Sequence, residues 1–452
     1  MLFIKMKLSN WHIQVLYVIS FGAIFYYLLQ INRAHWLLGV FLVLVATVLF
    51  YKNPVFLMIL YMLTVPVVEQ MVSKESYSLA NPSVMIKGFI LILFIIILLV
   101  NKVNIFRNQL TKPLSVLVLL FAITLPITRD IQSGIPTLIK LIHFIVMIAF
   151  VRYIFEKNRE NIQKIWTAQL VSVFLIIISI IVVTNLLGVS RAEEMYGTGA
   201  SSGFFYASIA PVIAGNLAIV LLFHQFFPKY KKTSLLLSLF VAFTTLATFQ
   251  RSAVVILMAQ MIICGVIGLI KFKQWTIGKI ISYLVIVTAV GSIYLMKYPE
   301  TLEYRMSNIE LEEDINPRYF AGGRLRLWRY ALERFEKRSL FSKMFGTGIG
   351  SARYYTVPNE NVEAHNVPLK FLLEGGIIGL LIYFVFIIML IKFALRAGAK
   401  YPQFLALGFS TTAAIIIASI AGESYFFSTQ MHTSAAIVFA TIASDLKPII
   451  SD

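Results

Sequence analysis

Hydrophobic positions along the chain form long blocks separated by short polar segments. The blocks are roughly 16 to 24 residues long, and each can cross a bilayer core about 30 Å thick at a helical rise of about 1.5 Å per residue. The pattern therefore predicts helices rather than a barrel, near residues 11–29, 36–51, 54–71, 84–100, 113–127, 135–155, 165–187, 204–227, 232–249, 252–270, 276–296, 366–393, 402–420 and 429–446. The third, fifth and last blocks are the least typical of spanning helices, so we expect about 12 to 14 transmembrane helices.

Lysine and arginine sort into alternate loops, and short loops rich in these residues face the cytoplasm. The rich set contains Lys5, Lys7, Lys52, Lys102, Arg107, Lys112, Arg152, Lys157, Arg159, Lys164, Lys229, Lys231, Lys232, Lys271, Lys273, Lys279, Lys392, Arg396, Lys400 and Lys447. The short loops of the other set contain only Arg33, Lys74, Arg129, Arg191 and Arg251. We therefore expect both termini inside the cell and the one long loop, about 297–365, outside it.

Composition agrees with a membrane protein. Hydrophobic residues make up 59% of the chain and charged residues 13%, about half the usual charged share of a soluble domain. A net charge of +18 would suggest a nucleic-acid partner in a soluble protein, but here most of the charge lies in the cytoplasmic loops, so none is expected. The single cysteine, Cys264, excludes an internal disulfide and a Cys-rich metal site. The fold class predicted is an all-α integral membrane protein.

The predicted organisation has three parts. Residues 1–296 carry helices one to eleven, residues 297–365 form the extracytoplasmic loop between the eleventh and twelfth helices, and residues 366–452 carry the last three helices. Within the loop, Trp328, Ala331, Leu332 and Phe335 recur at helical spacing and predict an amphipathic helix near 324–341, on or near the outer membrane surface. The segments "AGG" at 321–323 and "GTGIG" at 346–350 are interpreted as turns.

Two arginines are candidates for binding an anion on the outer side. Arg251 begins an apolar block, and Arg191 lies in a loop rich in small residues; both oppose the charge sorting described above. The planar guanidinium can bond two oxygens of a phosphate at once. The alternatives are contact of Arg251 with lipid headgroups and a local ion pair of Arg191 with the neighbouring Glu193 or Glu194.

The segment "AHNVPLKFLLEGGIIG", residues 364–379, brings polar groups to the start of a membrane helix. Pro368 suits the first turn of a helix, so the helix begins near Asn366 and His365 lies at the outer membrane boundary. His365 is a candidate base, or else caps the helix or bonds a carbonyl group. Glu374 points away from His365 on a continuous helix and needs a partner, and Lys370 is a candidate for one end of such a network.

These pieces together resemble the O-antigen ligase and polymerase family. They are Arg251 to Ala253 at a helix start, Trp328 in the loop helix, the turn Gly346 to Gly350, and a run with His365, Asn366, Leu369, Leu373, Glu374, Gly376 and Gly379. Their order covers about residues 190–390. The resemblance implies a bacterial glycosyltransferase with its active site on the outer face of the plasma membrane, a loop helix that covers a cavity, and catalysis without metal or other cofactor.

The resemblance also implies roles for individual residues. His365 would accept the proton of an acceptor hydroxyl in an inverting transfer, while Arg251 and Arg191 hold the departing diphosphate of a polyprenyl-diphosphate-linked donor. Arg326, Arg329 and Asn366 are further candidates for substrate contacts, although the loop arginines could instead bind headgroups. No Asp-x-Asp pair occurs in the predicted outer loops, so arginines would neutralise the diphosphate.

Three functions are compatible with these features. A polymerase would pass the growing glycan chain onto a lipid-linked repeat unit, with a chain-length regulator as a possible partner, and a ligase would pass the finished chain to lipid A core. The number of helices and the Ile-, Lys- and Phe-rich composition favour a polymerase. A transporter of lipid-linked oligosaccharides is the third, but the paired discontinuous helices typical of transporters are not evident. The sugar, the linkage, the acceptor and the oligomeric state are not encoded in these patterns.

Overall fold

The computed structural model describes residues 53–70, 82–107, 109–187, 209–248, 250–271, 276–296, 324–356, 364–421 and 428–444. Within these ranges the chain is helical and contains no strand. The helices are α1 (Pro54–Gln70), α2 (Pro82–Val100), α3 (Thr111–Thr124), α4 (Ile131–Lys157), α5 (Glu160–Leu187), α6 (Ile209–Gly215), α7 (Leu217–Phe226), α8 (Lys231–Ala247), α9 (Arg251–Lys271), α10 (Ile277–Met296), α11 (Arg324–Glu336), α12 (Leu340–Phe345), α13 (Val367–Lys400), α14 (Pro402–Ala421) and α15 (Thr429–Ala443). The first two predicted helices, near 11–29 and 36–51, lie outside the described residues.

Five of the described helices are long and apolar enough to cross a membrane: Ile131–Lys157, Glu160–Ile181, Arg251–Lys271, Val367–Lys400 and Pro402–Ile420. Shorter apolar helices occupy most of the other predicted positions, among them Pro54–Thr64, Gly88–Val100 and Thr111–Ile127. The all-helical membrane character is therefore confirmed in the part of the chain that is described. The total number of spans and their orientation stay predictions.

The core is formed where several apolar helices bury whole faces. α4 packs against α15, and its residues from Phe144 to Val151 are all buried. α14 packs against both α9 and α13, and α13 also packs against α3. α14 thus adjoins the helix that begins at Arg251 and the helix that follows His365.

One predicted helix is divided. The apolar block near 204–227 contains two helices, α6 and α7, with Asn216 between them. The Asn216 amide donates to Val212 O (2.7 Å), and its side-chain oxygen accepts from Gln169 Nε2 (2.8 Å) and Ser434 Oγ (2.9 Å). An amide buried among apolar helices is stable when its groups are hydrogen-bonded, and these contacts join α5, α15 and the α6–α7 junction.

Candidate functional site

The helix that carries the predicted site is broken at Gly376. Gly376 has φ +67° and ψ −164°, inside α13. The expectation of one continuous helix through Gly376 and Gly379 is therefore wrong, since hydropathy does not register a single residue in the left-handed region. A break deprives the carbonyl groups of the preceding turn of their partners four residues later.

Those carbonyl groups are bonded by the outer-loop segment instead. Thr347 N and Thr347 Oγ1 donate to Leu373 O at 3.3 and 3.1 Å, and Gly348 N donates to Glu374 O at 3.0 Å. Arg338 Nη1 also donates to Leu373 O at 2.6 Å. The break thus creates the acceptors that hold the loop against α13.

The "GTGIG" segment is a turn, as predicted, and its three glycines are required by its conformation. Gly346, Gly348 and Gly350 have φ of +79°, +90° and +86°. A Cβ at Gly346 would lie 2.1 Å from Glu374 O, so a side chain does not fit there. Only glycine adopts this region at little cost and lets two backbones approach so closely.

The other side of this turn contacts the corner between α3 and α4. Thr128 Oγ1 donates to Ile349 O at 2.7 Å. Cβ atoms at Gly348 and Gly350 would lie 2.7 Å from Thr124 O and 2.6 Å from Gly134 N, respectively. The turn is therefore wedged between the α3–α4 corner and the break in α13.

Glu374 is completely buried below the turn, and its partners can be named. Lys370 Nζ lies 3.6 Å from Glu374 Oε1 on the same helix, and Ala352 N donates to this oxygen at 3.1 Å. Lys370 is also buried, with 2% of its surface exposed. A structural ion pair was predicted for Glu374 without a named partner, and the structure identifies Lys370, the candidate, as that partner. Glu374 additionally holds the 352–354 turn through Ala352 N.

The predicted amphipathic helix is present as α11, which ends at Glu336, and the shorter α12 follows it. Trp328 and Phe335 pack against what we call the loop cluster, whose buried members are Ala331, Ala352, Ala364, Leu369 and Leu373. Trp328 Nε1 donates to Ala364 O at 3.0 Å. Leu332, expected on the same apolar face, is 44% exposed instead. α11 is thus attached through Trp328 to the residue that precedes His365.

His365 has a backbone conformation that is uncommon for residues other than glycine. Its φ is +50°, in the left-handed region, and its side chain is half-buried. The helix cap is Asn366, whose Oδ1 accepts from Leu369 N at 2.9 Å, so the capping interpretation of His365 is wrong. A non-glycine residue held in this region costs free energy, and such residues cluster at functional sites.

A basic cluster lies beside this junction. The Arg338 guanidinium carbon is 4.1 Å from the centroid of the Tyr355 ring, and that of Arg129 is 5.8 Å from the same centroid. Burial lowers the pKa of Arg338; the charge of Arg129 lowers it further, and Tyr355 acts in the opposite sense. Arg353 forms an ion pair with Asp130, the residue that caps α4.

The arginines predicted from the sequence are described only in part. Arg251 is the first residue of α9 and is half-buried. Arg329 lies exposed on α11, whereas the side chain of Arg326 and the whole of Arg191 lie outside the described residues. The substrate roles assigned to these residues and to Asn366 stay predictions.

Sequence reasoning missed Arg129, Arg338, Arg353, Asp130 and Tyr355. A signal for Arg129 was present, because it opposes the charge sorting of the loops in the same way as Arg251. The others carry no local signal, since only the folded loop brings residues 338–355 against residues 128–134.

Comparison with known protein families gives a match for part of the chain. Residues 235–384, about a third of the chain, match a family model described as O-antigen ligase. The match includes Arg251, α11, the glycine turn, His365 and the break in α13. Among curated proteins, no sequence matches the chain. The family match supports assignment of the chain to the O-antigen ligase and polymerase family.

Proposed function

We propose that this protein is a polysaccharide polymerase of the bacterial plasma membrane. It transfers a glycan chain from a polyprenyl-diphosphate-linked donor onto a lipid-linked repeat unit at the outer face. The observation that carries the proposal is His365, half-buried in the left-handed conformation at the junction of α13 and the loop helix α11.

His365 is the proposed general base. A histidine side chain with an ordinary pKa is mostly neutral at pH 7 and can accept the proton of an acceptor hydroxyl. The hydroxyl oxygen then attacks the anomeric carbon, and the bond from that carbon to the diphosphate oxygen breaks with inversion. The cap by Asn366 and the bond from Trp328 to Ala364 hold the peptide on either side of His365.

Arg251 and Arg191 are the proposed partners of the departing diphosphate. A diphosphate leaves as an anion, so a cationic clamp can replace a general acid. The position of Arg251 at the start of α9 supports this role, because the positive end of the helix dipole adds to its charge. The proposed reaction uses no metal ion and no other cofactor.

The alternative within the family is a ligase that transfers the finished glycan to lipid A core. Both enzymes would use the same base and the same diphosphate clamp, so the site does not distinguish them. Incubation of the purified protein with one lipid-linked repeat unit distinguishes the two enzymes, because a polymerase produces a ladder of chain lengths. Transfer to a core acceptor without any elongation would contradict our preference.

His365→Ala tests the catalytic assignment. We expect transfer to fall by about 10²- to 10⁴-fold, the usual contribution of a general base, while the lipid-linked donor still binds. Lys337→Ala, a change of an exposed residue near the end of α11, is the matched control and should retain activity. Unchanged turnover in His365→Ala would refute the base role.

A transporter of lipid-linked oligosaccharide is the remaining alternative. It would move the donor across proteoliposome membranes without forming a glycosidic bond. Translocation of the donor that persists in His365→Ala, with no transfer product in the unsubstituted protein, would replace the proposed function by transport.

A further inference from the structure

Two arginines beside Tyr355 are not neutralised by any carboxylate in the described residues. Asp130, the acidic neighbour of Arg129, is occupied by Arg353 and by Tyr354 OH, and its other oxygen accepts from Ser133 N at 3.0 Å. Across the described ranges, no carboxylate oxygen lies within 4 Å of Arg129 or Arg338. Counted over the described residues, the region around Tyr355 therefore carries excess positive charge.

Arg338 also has hydrogen-bonding capacity that the described protein groups do not use. Nη1 donates to Leu373 O, but Nε and Nη2 are covered and have no acceptor among the described residues. Buried guanidinium donors without an acceptor are costly, and such groups mark places where a ligand oxygen or water is bound. Arg129 is exposed, so an anion can reach the pair from its side.

The location of the pair relates it to the proposed reaction. Tyr355 packs against the loop cluster, which contains Ala364, the residue before His365. Trp328, in the same cluster, bonds to Ala364 O. An anion bound next to Tyr355 would thus lie beside the peptide that carries the proposed base.

We propose that Arg129 and Arg338 bind an anionic group of the glycan substrate, and that the Tyr355 ring forms one wall of this site. The group is a carboxylate or a phosphate substituent on a sugar. The inference rests on the proposed function, since it places an acidic sugar beside the site of transfer. A guanidinium binds either oxyanion through two parallel hydrogen bonds, and a tyrosine ring offers a face for the sugar.

Direct binding to the full chain in nanodiscs tests the proposal without requiring turnover. The probes are trigalacturonate, the neutral trisaccharide maltotriose and inorganic diphosphate, all at one ionic strength. We expect trigalacturonate to bind at least about tenfold more tightly than maltotriose, as charge-assisted bonds require. Arg129→Gln should remove most of this preference.

Lys337→Gln is the matched control, because it removes the same charge from an exposed residue near the end of α11. It should leave the preference for trigalacturonate unchanged. Arg338→Lys keeps a charge but loses the planar fork, and should weaken binding of trigalacturonate without abolishing it. Arg129 makes no hydrogen bond that stabilises the described fold, so its variant remains informative even if changes at Arg338 impair folding.

Three results would overturn the proposal. Equal binding of trigalacturonate and maltotriose would show that the pair does not select acidic sugars. An equal loss in Lys337→Gln would assign the effect to diffuse surface charge. Displacement of trigalacturonate by inorganic diphosphate would show that Arg129 and Arg338 bind the diphosphate of the lipid-linked donor instead. If binding is as expected but no transfer occurs, only the proposed function fails.

Discussion

Replacing Lys370 with methionine would leave the Glu374 carboxylate buried without its cation. Methionine has a similar length, so the change removes the charge with little change in volume. Both side chains are almost fully buried, and Lys370 Nζ lies 3.6 Å from Glu374 Oε1. At this separation and an effective dielectric constant of about 20, the attraction is about 4 to 5 kcal/mol.

We therefore expect Lys370→Met to lower the free energy of unfolding by about 3 to 5 kcal/mol, as found when one partner of a buried pair is removed. Glu374→Gln should cost a similar amount, because it leaves the ammonium group buried. The double variant should cost less than the sum, since a neutral amide oxygen can still accept from Ala352 N. The measurement is the free energy of unfolding in mixed detergent micelles for the unsubstituted protein, the two single variants and the double variant.

Additive losses in the double variant would refute this reasoning, because they would show that Lys370 and Glu374 do not interact. A loss below about 1 kcal/mol in Lys370→Met would place the pair in the class of solvated ion pairs. Protection of the Ala352 amide from hydrogen exchange provides a second readout. It should fall in Glu374→Gln, where the acceptor is weaker, and an unchanged rate would contradict the bond to Glu374.

Gly346→Ala should destabilise the protein by more than the 1 to 2 kcal/mol of a left-handed alanine, because its Cβ would lie 2.1 Å from Glu374 O. Gly278→Ala is the matched control in thermal unfolding, since a Cβ there meets nothing within 4 Å. Equal effects of the two changes would contradict the close packing of the glycine turn against α13. Trp328→Phe should weaken the attachment of α11 by about 0.5 to 1.5 kcal/mol, because the hydrogen bond to Ala364 O is lost. Limited proteolysis of the loop should then be faster, and an unchanged rate would show that this bond does not hold the helix. Arg251→Lys should raise the KM for the lipid-linked donor more than it changes kcat, because the charge remains but the fork is lost. An unchanged KM would favour headgroup contact as the role of Arg251.

Several features of the site follow from the sequence. The amphipathic spacing around Trp328 predicted α11, Pro368 predicted where α13 begins, and the glycine-rich segment was identified as a turn. These features depend on local backbone preferences and on periodicity, which are properties of short stretches of chain. The spacing of one turn made Lys370 a candidate partner for Glu374, but the sequence did not identify the partner, which the structure shows to be Lys370.

The break at Gly376 was not predictable in the same way. Glycine is compatible with a membrane helix, so the apolar block from 366 onward looks continuous. The break is stabilised by partners far away in sequence: Thr347, Gly348 and Arg338 bond to the carbonyl groups that it releases. The identity of the helix cap, Asn366 rather than His365, likewise required the backbone conformation.

By itself, the sequence determined that this is a helical membrane protein with an amphipathic loop helix and a histidine before a long apolar helix. Hydropathy and charge act along the chain, so a one-dimensional pattern is sufficient for those conclusions. Only the tertiary structure decided that the loop closes onto the break in α13 and that Arg129, Arg338 and Tyr355 come together. The contacts of the loop with Thr128 and Arg129 join residues more than two hundred positions apart, and their free energy depends on close packing that no local pattern specifies.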